Sequence, residues 1–210
     1  MKKVIILLTV FVICAFAQCL GGPLNGRIGI KTGINYGIFD PEIGDSNLTG
    51  MGFHIGLGMG VDILKTLAID MTPTFRTTAY GQTEDNSSVS ISYSNLYLPV
   101  QISLKAGLMP LISPYIGLGA AGNFQMGGKI KIESGSATIE FDIENDDLEQ
   151  DFFLIGALGA EVKLIKMSVI PEISVNYNLT PDLVDDQNPN NRVEGSNIDF
   201  HFSVGLYMSL

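Results

Sequence analysis

Ile198-Asp199-Phe200-His201-Phe202-Ser203-Val204-Gly205-Leu206-Tyr207-Met208-Ser209-Leu210 is the stretch that decides the fold. Every even position is apolar; Asp199, His201, Ser203, Gly205, Tyr207 and Ser209 fill the odd ones. A period of two places successive side chains on opposite faces of a strand. The run is longer than the roughly 9–11 residues that a strand tilted by about 45° needs to cross a bilayer.

The same alternation recurs upstream. Ile28, Ile30, Thr32, Ile34, Tyr36 and Ile38 are separated by Gly29, Lys31, Gly33, Asn35 and Gly37. Met51, Phe53, Ile55, Leu57, Met59, Val61 and Ile63 are separated by Gly52, His54, Gly56, Gly58, Gly60 and Asp62. Residues 67–79 set Leu67, Ile69, Met71 and Phe75 against Asp70, Thr72, Thr74 and Arg76. In a fourth run Leu96, Leu98, Val100, Ile102 and Leu104 oppose Tyr97, Gln101, Ser103 and Lys105. Its upstream part, with Val89, Ile91 and Tyr93, has the opposite phase, which predicts a bulge near Ser94-Asn95. Further runs over 112–126, 152–164 and 169–179 bring Glu161, Lys163 and Glu172 to the polar side.

These runs amount to eight strands. Tight connections at Lys65-Thr66, Gly107–Pro110 and Ile165–Met167 alternate with long ones at 39–50, 81–88, 127–150 and 180–197. Short turns at one end and long loops at the other predict an all-β, eight-stranded, antiparallel up-and-down transmembrane β-barrel. Within the third loop, Lys129–Glu133 and Thr138–Glu144 alternate again, predicting a hairpin that prolongs the fifth and sixth strands.

A soluble lipocalin-like carrier has the same period with its apolar face inward. Glycine separates the two readings. Gly29, Gly33, Gly37, Gly52, Gly56, Gly58, Gly60, Gly117, Gly119, Gly159 and Gly205 all fall on the polar face. A water-facing surface has no use for glycine, which weakens strands, whereas the interior of a narrow barrel requires small residues. The polar face is therefore expected inside and the apolar face against lipid. The interior charges would be Lys31, His54, Asp62, Asp70, Arg76, Lys105, Glu161, Lys163, Glu172, Asp199 and His201, paired as a plug instead of lining a channel. Tyr36, Tyr93, Tyr97, Phe124, Phe152 and Tyr177 are candidates for an aromatic girdle, with Lys65 and Lys166 at the inner interface.

The N-terminus reads as an export signal after which the barrel follows. Met1-Lys2-Lys3 precedes the apolar run Val4–Phe16, and Ala15-Phe16-Ala17 fits small-x-small cleavage before Gln18. Gln18 is not the small residue that lipidation of Cys19 requires. The expected division is 1–17 signal peptide, 18–25 lead and 26–210 barrel. The 210-residue chain carries 12 Lys+Arg against 22 Asp+Glu, a balance opposite to that of a nucleic-acid binder. Two cysteines, one of them in the signal, make neither a disulfide framework nor a cysteine zinc site.

Leu96-Tyr97-Leu98-Pro99-Val100-Gln101-Ile102, Pro114-Tyr115-Ile116-Gly117-Leu118-Gly119 and Pro171–Leu179 with Tyr177-Asn178 resemble strands of the PorT-like outer-membrane β-barrel family of Gram-negative bacteria. The resemblance implies an eight-stranded barrel of OmpA/OmpX-type architecture in the cell outer membrane and does not imply a catalytic activity; one branch of that family takes part in protein secretion. Ser203, Gly205, Met208 and Leu210 resemble the C-terminal signal read by the barrel-assembly machinery, with Leu210 in place of the usual Phe.

Of the 22 acidic residues, 17 lie in or beside the long loops: Asp40, Glu42, Asp45, Glu84, Asp85, Glu133, Glu140, Asp142, Glu144, Asp146, Asp147, Glu149, Asp151, Asp182, Asp185, Asp186 and Glu194. Only Lys129, Lys131 and Arg192 oppose them there. Solvated loops explain this more simply than a Ca²⁺ site, since neither 142–151 nor 182–191 has EF-hand spacing. His201 and Ser203, with Asp199 beside them, share the lumen face, where substrate has no access. No catalytic, cofactor or metal site is expected. The expected partners are outer-membrane lipid and lipopolysaccharide, the assembly machinery, and extracellular or secretion partners met through the loops. A narrow pore or secretion-linked component is the alternative.

Overall fold

A computed structural model describes residues 24–41, 48–63, 66–84, 87–106, 111–134, 137–143, 150–180 and 195–210. Residues 1–23, which hold the expected signal peptide and Cys19, and most of the long loops with their candidate Ca²⁺ ligands lie outside the described residues, as does Lys65.

The strands are β1 (Leu24–Pro41), β2 (Leu48–Ile63), β3 (Leu67–Met71), β4 (Thr74–Glu84), β5 (Ser87–Lys105), β6 (Ile112–Ser134), β7 (Ala137–Ile143), β8 (Gln150–Leu164), β9 (Met167–Asn178) and β10 (Gly195–Ser209). β1 starts at Leu24, two residues ahead of the expected barrel boundary. Each strand pairs antiparallel with its neighbours, and β1 pairs with both β2 and β10, which closes the sheet.

Ten segments make an eight-stranded ring because two crossings are divided. β3 and β4 form one crossing: Met59↔Met71 and Gly56↔Thr74 on one side, and Val100↔Met71 and Tyr97↔Thr74 on the other, keep one register across Thr72-Pro73. Proline has no N–H to give the ladder, so the pairing lapses there without a change of phase. Pro73 O still accepts from Leu57 N at 3.0 Å. β7 and β8 form the other divided crossing, both pairing with β6.

The faces separate cleanly. Leu118 and Leu158 on the outer face are 71% and 63% exposed, while Arg76 and Asp199 on the inner face are 2% and 0% exposed. This inverts the soluble, lipocalin-like arrangement, in which the apolar side chains would fill the barrel.

The expected irregularity lies between Ser94 and Asn95, but the surplus residue belongs to β6. Asn95 pairs with Gln125 and Ser94 with Gly127, leaving Met126 unpaired. Beyond it the amphipathic sense reverses. Ile91, Ile130 and Phe141 form one cross-strand row continuous with buried Tyr80, while Lys129 and Asp142 on the opposite face lie 3.7 Å apart.

Candidate functional site

The lumen is filled by side chains in hydrogen-bonded tiers. Nearest the short-turn end, Arg27 on β1 grips Asp70 on β3: Nη2 donates to Oδ1 and Oδ2 at 2.7 Å each, and Nε donates to Oδ1 at 3.1 Å. Lys105 on β5 bridges Asp62 on β2 at 2.6 Å and Glu161 on β8 at 2.7 Å. Arg27 Nη1 lies 3.7 Å from Asp62 and 3.6 Å from Glu161, which joins the two pairs. Ser168 Oγ donates to Glu161 Oε1 at 2.8 Å.

The middle tier is centred on Glu172 of β9. Lys31 Nζ donates to Oε1 at 2.6 Å; Tyr115 Oη and Gln101 Nε2 donate to Oε2 at 2.6 and 3.2 Å. Three donors satisfying one buried carboxylate are what its burial requires.

Toward the long-loop end, Arg76 Nη1 donates to Asp199 Oδ2 at 2.6 Å and lies 3.4 Å from His201 Nε2. Its guanidinium carbon sits 5.1 Å from the Tyr97 ring centre and 5.7 Å from that of Phe153. Tyr97 Oη donates to Asn176 Oδ1 at 2.9 Å. Asn123 and Asn178 donate to Asp151 at 3.1 and 3.3 Å.

Inward glycines make these tiers possible. A Cβ on Gly58 would lie 2.5 Å from Tyr207 Cε1, and one on Gly37 would lie 2.6 Å from both Asp199 Oδ1 and Tyr80 Oη. Tyr80, Tyr115 and Tyr207 each rest on the bare backbone of a neighbouring strand's glycine.

The tiers bring together Lys31, Asp62, Asp70, Arg76, Lys105, Glu161, Glu172, Asp199 and His201. His54 joins through its ring, 5.0 Å from that of His201. Lys163 is the exception. It has the inward parity of Glu161, but at the end of β8 it is exposed at the rim, so it is not part of the lumen network.

Arg27, the busiest cation of the lumen, lies one residue ahead of the alternating run that opens at Ile28 and so stands outside the expected set. Its odd position, shared with Lys31, is the signal that finds it. Two girdle candidates also move inward. Tyr97 is buried, and Tyr93 pairs with buried Thr78 on the same inward face. Their odd parity, shared with Asn95 and Gln101, decides this against their place near a strand end. The lumen is also not wholly polar: Phe153 and Ile155 of β8 pack inside with Tyr97 and Ala121. The run Phe152-Phe153-Leu154-Ile155 is apolar on both faces and so gives no alternation to read.

His201 and Ser203 do not form a nucleophile–base pair, since Ser203 Oγ has no hydrogen-bond partner. His54 Nδ1 is likewise without one. Both residues line an internal cavity of about 50 Å³, room for a few water molecules. Among the described residues no three His, Cys, Asp or Glu side chains are grouped to hold a metal ion. Ser203 and Gly205 of the C-terminal pattern face inward, while Met208 and Leu210 are exposed on the outer side.

No protein-family model and no curated protein matches the chain in sequence. Among solved structures, Ail, the attachment invasion locus protein of Yersinia pestis, is similar at 15% identity, covering 87% of this chain and 99% of its own, with a TM-score of 0.45. Neisserial surface protein A is similar at 10% identity, covering 86% of this chain and 96% of its own, with a TM-score of 0.46. The outer membrane protein OprG from Pseudomonas aeruginosa is similar at 11% identity over 88% and 96%, with a TM-score of 0.45. These are likenesses of chain path and say nothing of role.

Proposed function

We propose that the protein is an integral outer-membrane β-barrel whose packed lumen makes it a rigid, non-conducting, non-catalytic anchor, and that it acts through its acidic loops in a structural or interaction role. The observation that carries this reading is the inverted distribution of polarity: a closed barrel with an apolar outer face and ion pairs inside. A band of exposed apolar side chains around a closed barrel needs an apolar surround, and lipid supplies one on every side. The reversal beyond Met126 fits the same picture, because a strand leaving lipid has reason to turn its polar side outward. The tight-turn end then faces the periplasm and the loops face out. Lumen cations and anions on hydrogen bonds from several strands favour a plug over the pore alternative. The motifs resembling the PorT-like family agree with this reading.

Cell fractionation and planar-bilayer recording test it together. The expected results are recovery in the outer membrane and no discrete conductance. Recovery in the soluble periplasm, or regular channel steps from the purified wild type, would overturn it.

A further inference from the structure

The two-residue turn between β8 and β9 holds the one non-glycine residue with positive φ among the described residues: Ile165, at φ 54°. Positive φ at the first central residue alone is the pattern of a type II′ hairpin turn, a place for glycine. A β-branched side chain is the least suited to it. Among the described residues nothing packs on Ile165 to offset this strain, since it is 105% exposed. An isolated outlier of this kind points to a role outside the chain's own packing.

The surroundings identify the missing contact. Leu164 and Met167, which flank the turn and pair with each other, are exposed on the outer face; Met208 pairs with Met167, and Leu111 is exposed beside the start of β6. Ile165 therefore prolongs the apolar belt past the last ladder pair. Lys163 and Lys166, both exposed, bracket it with positive charge. Apolar tip and flanking ammonium groups together match the boundary of an anionic phospholipid leaflet, where acyl chain gives way to phosphate.

Resting on the membrane reading above, we propose that the β8–β9 turn is an interfacial anchor: Ile165 seats in the headgroup–acyl boundary, and Lys163 and Lys166 hold anionic phospholipid headgroups. The conformational cost of Ile165 is then offset by lipid, and glycine at that position would forgo the anchor.

The chain contains no tryptophan, so a single introduced one is an unambiguous probe. The full-length protein carrying Ile165→Trp is refolded into phosphatidylcholine vesicles with and without phosphatidylglycerol, using acyl chains brominated at shallow or deep positions. Leu158→Trp, in mid-belt, serves as the reference. A seat about 5–10 Å into the boundary predicts roughly two-fold quenching of Ile165→Trp by shallow bromines and less by deep ones. The quenching should rise with phosphatidylglycerol, and Lys163→Gln with Lys166→Gln should abolish that rise. An unquenched, red-shifted Ile165→Trp beside a quenched Leu158→Trp would place the turn in water and overturn the anchor while leaving the barrel in the membrane. Both probes unquenched would overturn the membrane reading itself. Quenching that ignores phosphatidylglycerol would overturn the headgroup contact. If Ile165→Trp does not refold, Met167→Trp, on ordinary strand backbone, gives the same readout.

Discussion

Arg76 and Asp199 face each other inside the barrel, from β4 and β10, at 2.6 Å, with side chains 3% and 1% exposed. The strands that carry them are not neighbours; β2 and β1 stand between. The pair therefore ties opposite parts of the wall through the lumen. Removing one partner leaves the other's charge buried, a cost of about 3–5 kcal/mol. Arg76→Leu should lower stability to that extent in urea titrations of the detergent-folded protein followed by circular dichroism. Adding Asp199→Asn should recover most of the loss. Equal stability of wild type and Arg76→Leu would show that the pair holds nothing together.

Gly58 and Tyr207 test the packing of the lumen. The close approach of the Tyr207 ring leaves no space for a Cβ at position 58. Gly58→Ala should destabilise the barrel by about 1–3 kcal/mol through overpacking. In a Tyr207→Ala background the same substitution should cost far less, and a double-mutant cycle measures the difference.

Leu118, at mid-belt on β6, tests which face meets lipid. Leu118→Arg should destabilise the bilayer-inserted barrel by about 2–4 kcal/mol, the cost of a cation near the membrane midplane. Bilayer-unfolding titrations that show no change would mean that this face is not against hydrocarbon.

Ile165 supplies a prediction of opposite sign. Ile165→Gly removes the positive-φ strain and should stabilise the protein in detergent by about 1 kcal/mol. Thermal gel-shift curves of the two proteins in one detergent measure it. Destabilisation would show that the isoleucine makes contacts that the fold depends on.

The barrel was readable in the sequence because a strand buried on one face must repeat its polarity every two residues. Inward Arg76, Glu172 and Asp199 and outward Leu118 and Phe202 follow from parity alone. Partner identity does not. Arg27 meets Asp70 over Gly60 of the strand between them, and Lys105 meets Glu161 over β6; strand stagger decides which heights coincide, and alternation within one strand does not encode it. Parity also loses meaning at strand ends. Lys163 keeps the inward phase yet leaves the lumen at the rim. The interruption at Thr72-Pro73 was invisible to the alternation because the register continues across it.

A closed barrel held in the outer membrane with its apolar face to lipid has a simple signature in cells and on gels. The most direct measurement is to fractionate expressing cells and run the membrane extract on a denaturing gel, boiled and unboiled. The expected result is recovery in the outer-membrane fraction, with an unboiled band that migrates differently from the boiled one because the closed sheet survives detergent until heated. A protein found in the soluble periplasm, with a single band under both conditions, would contradict it.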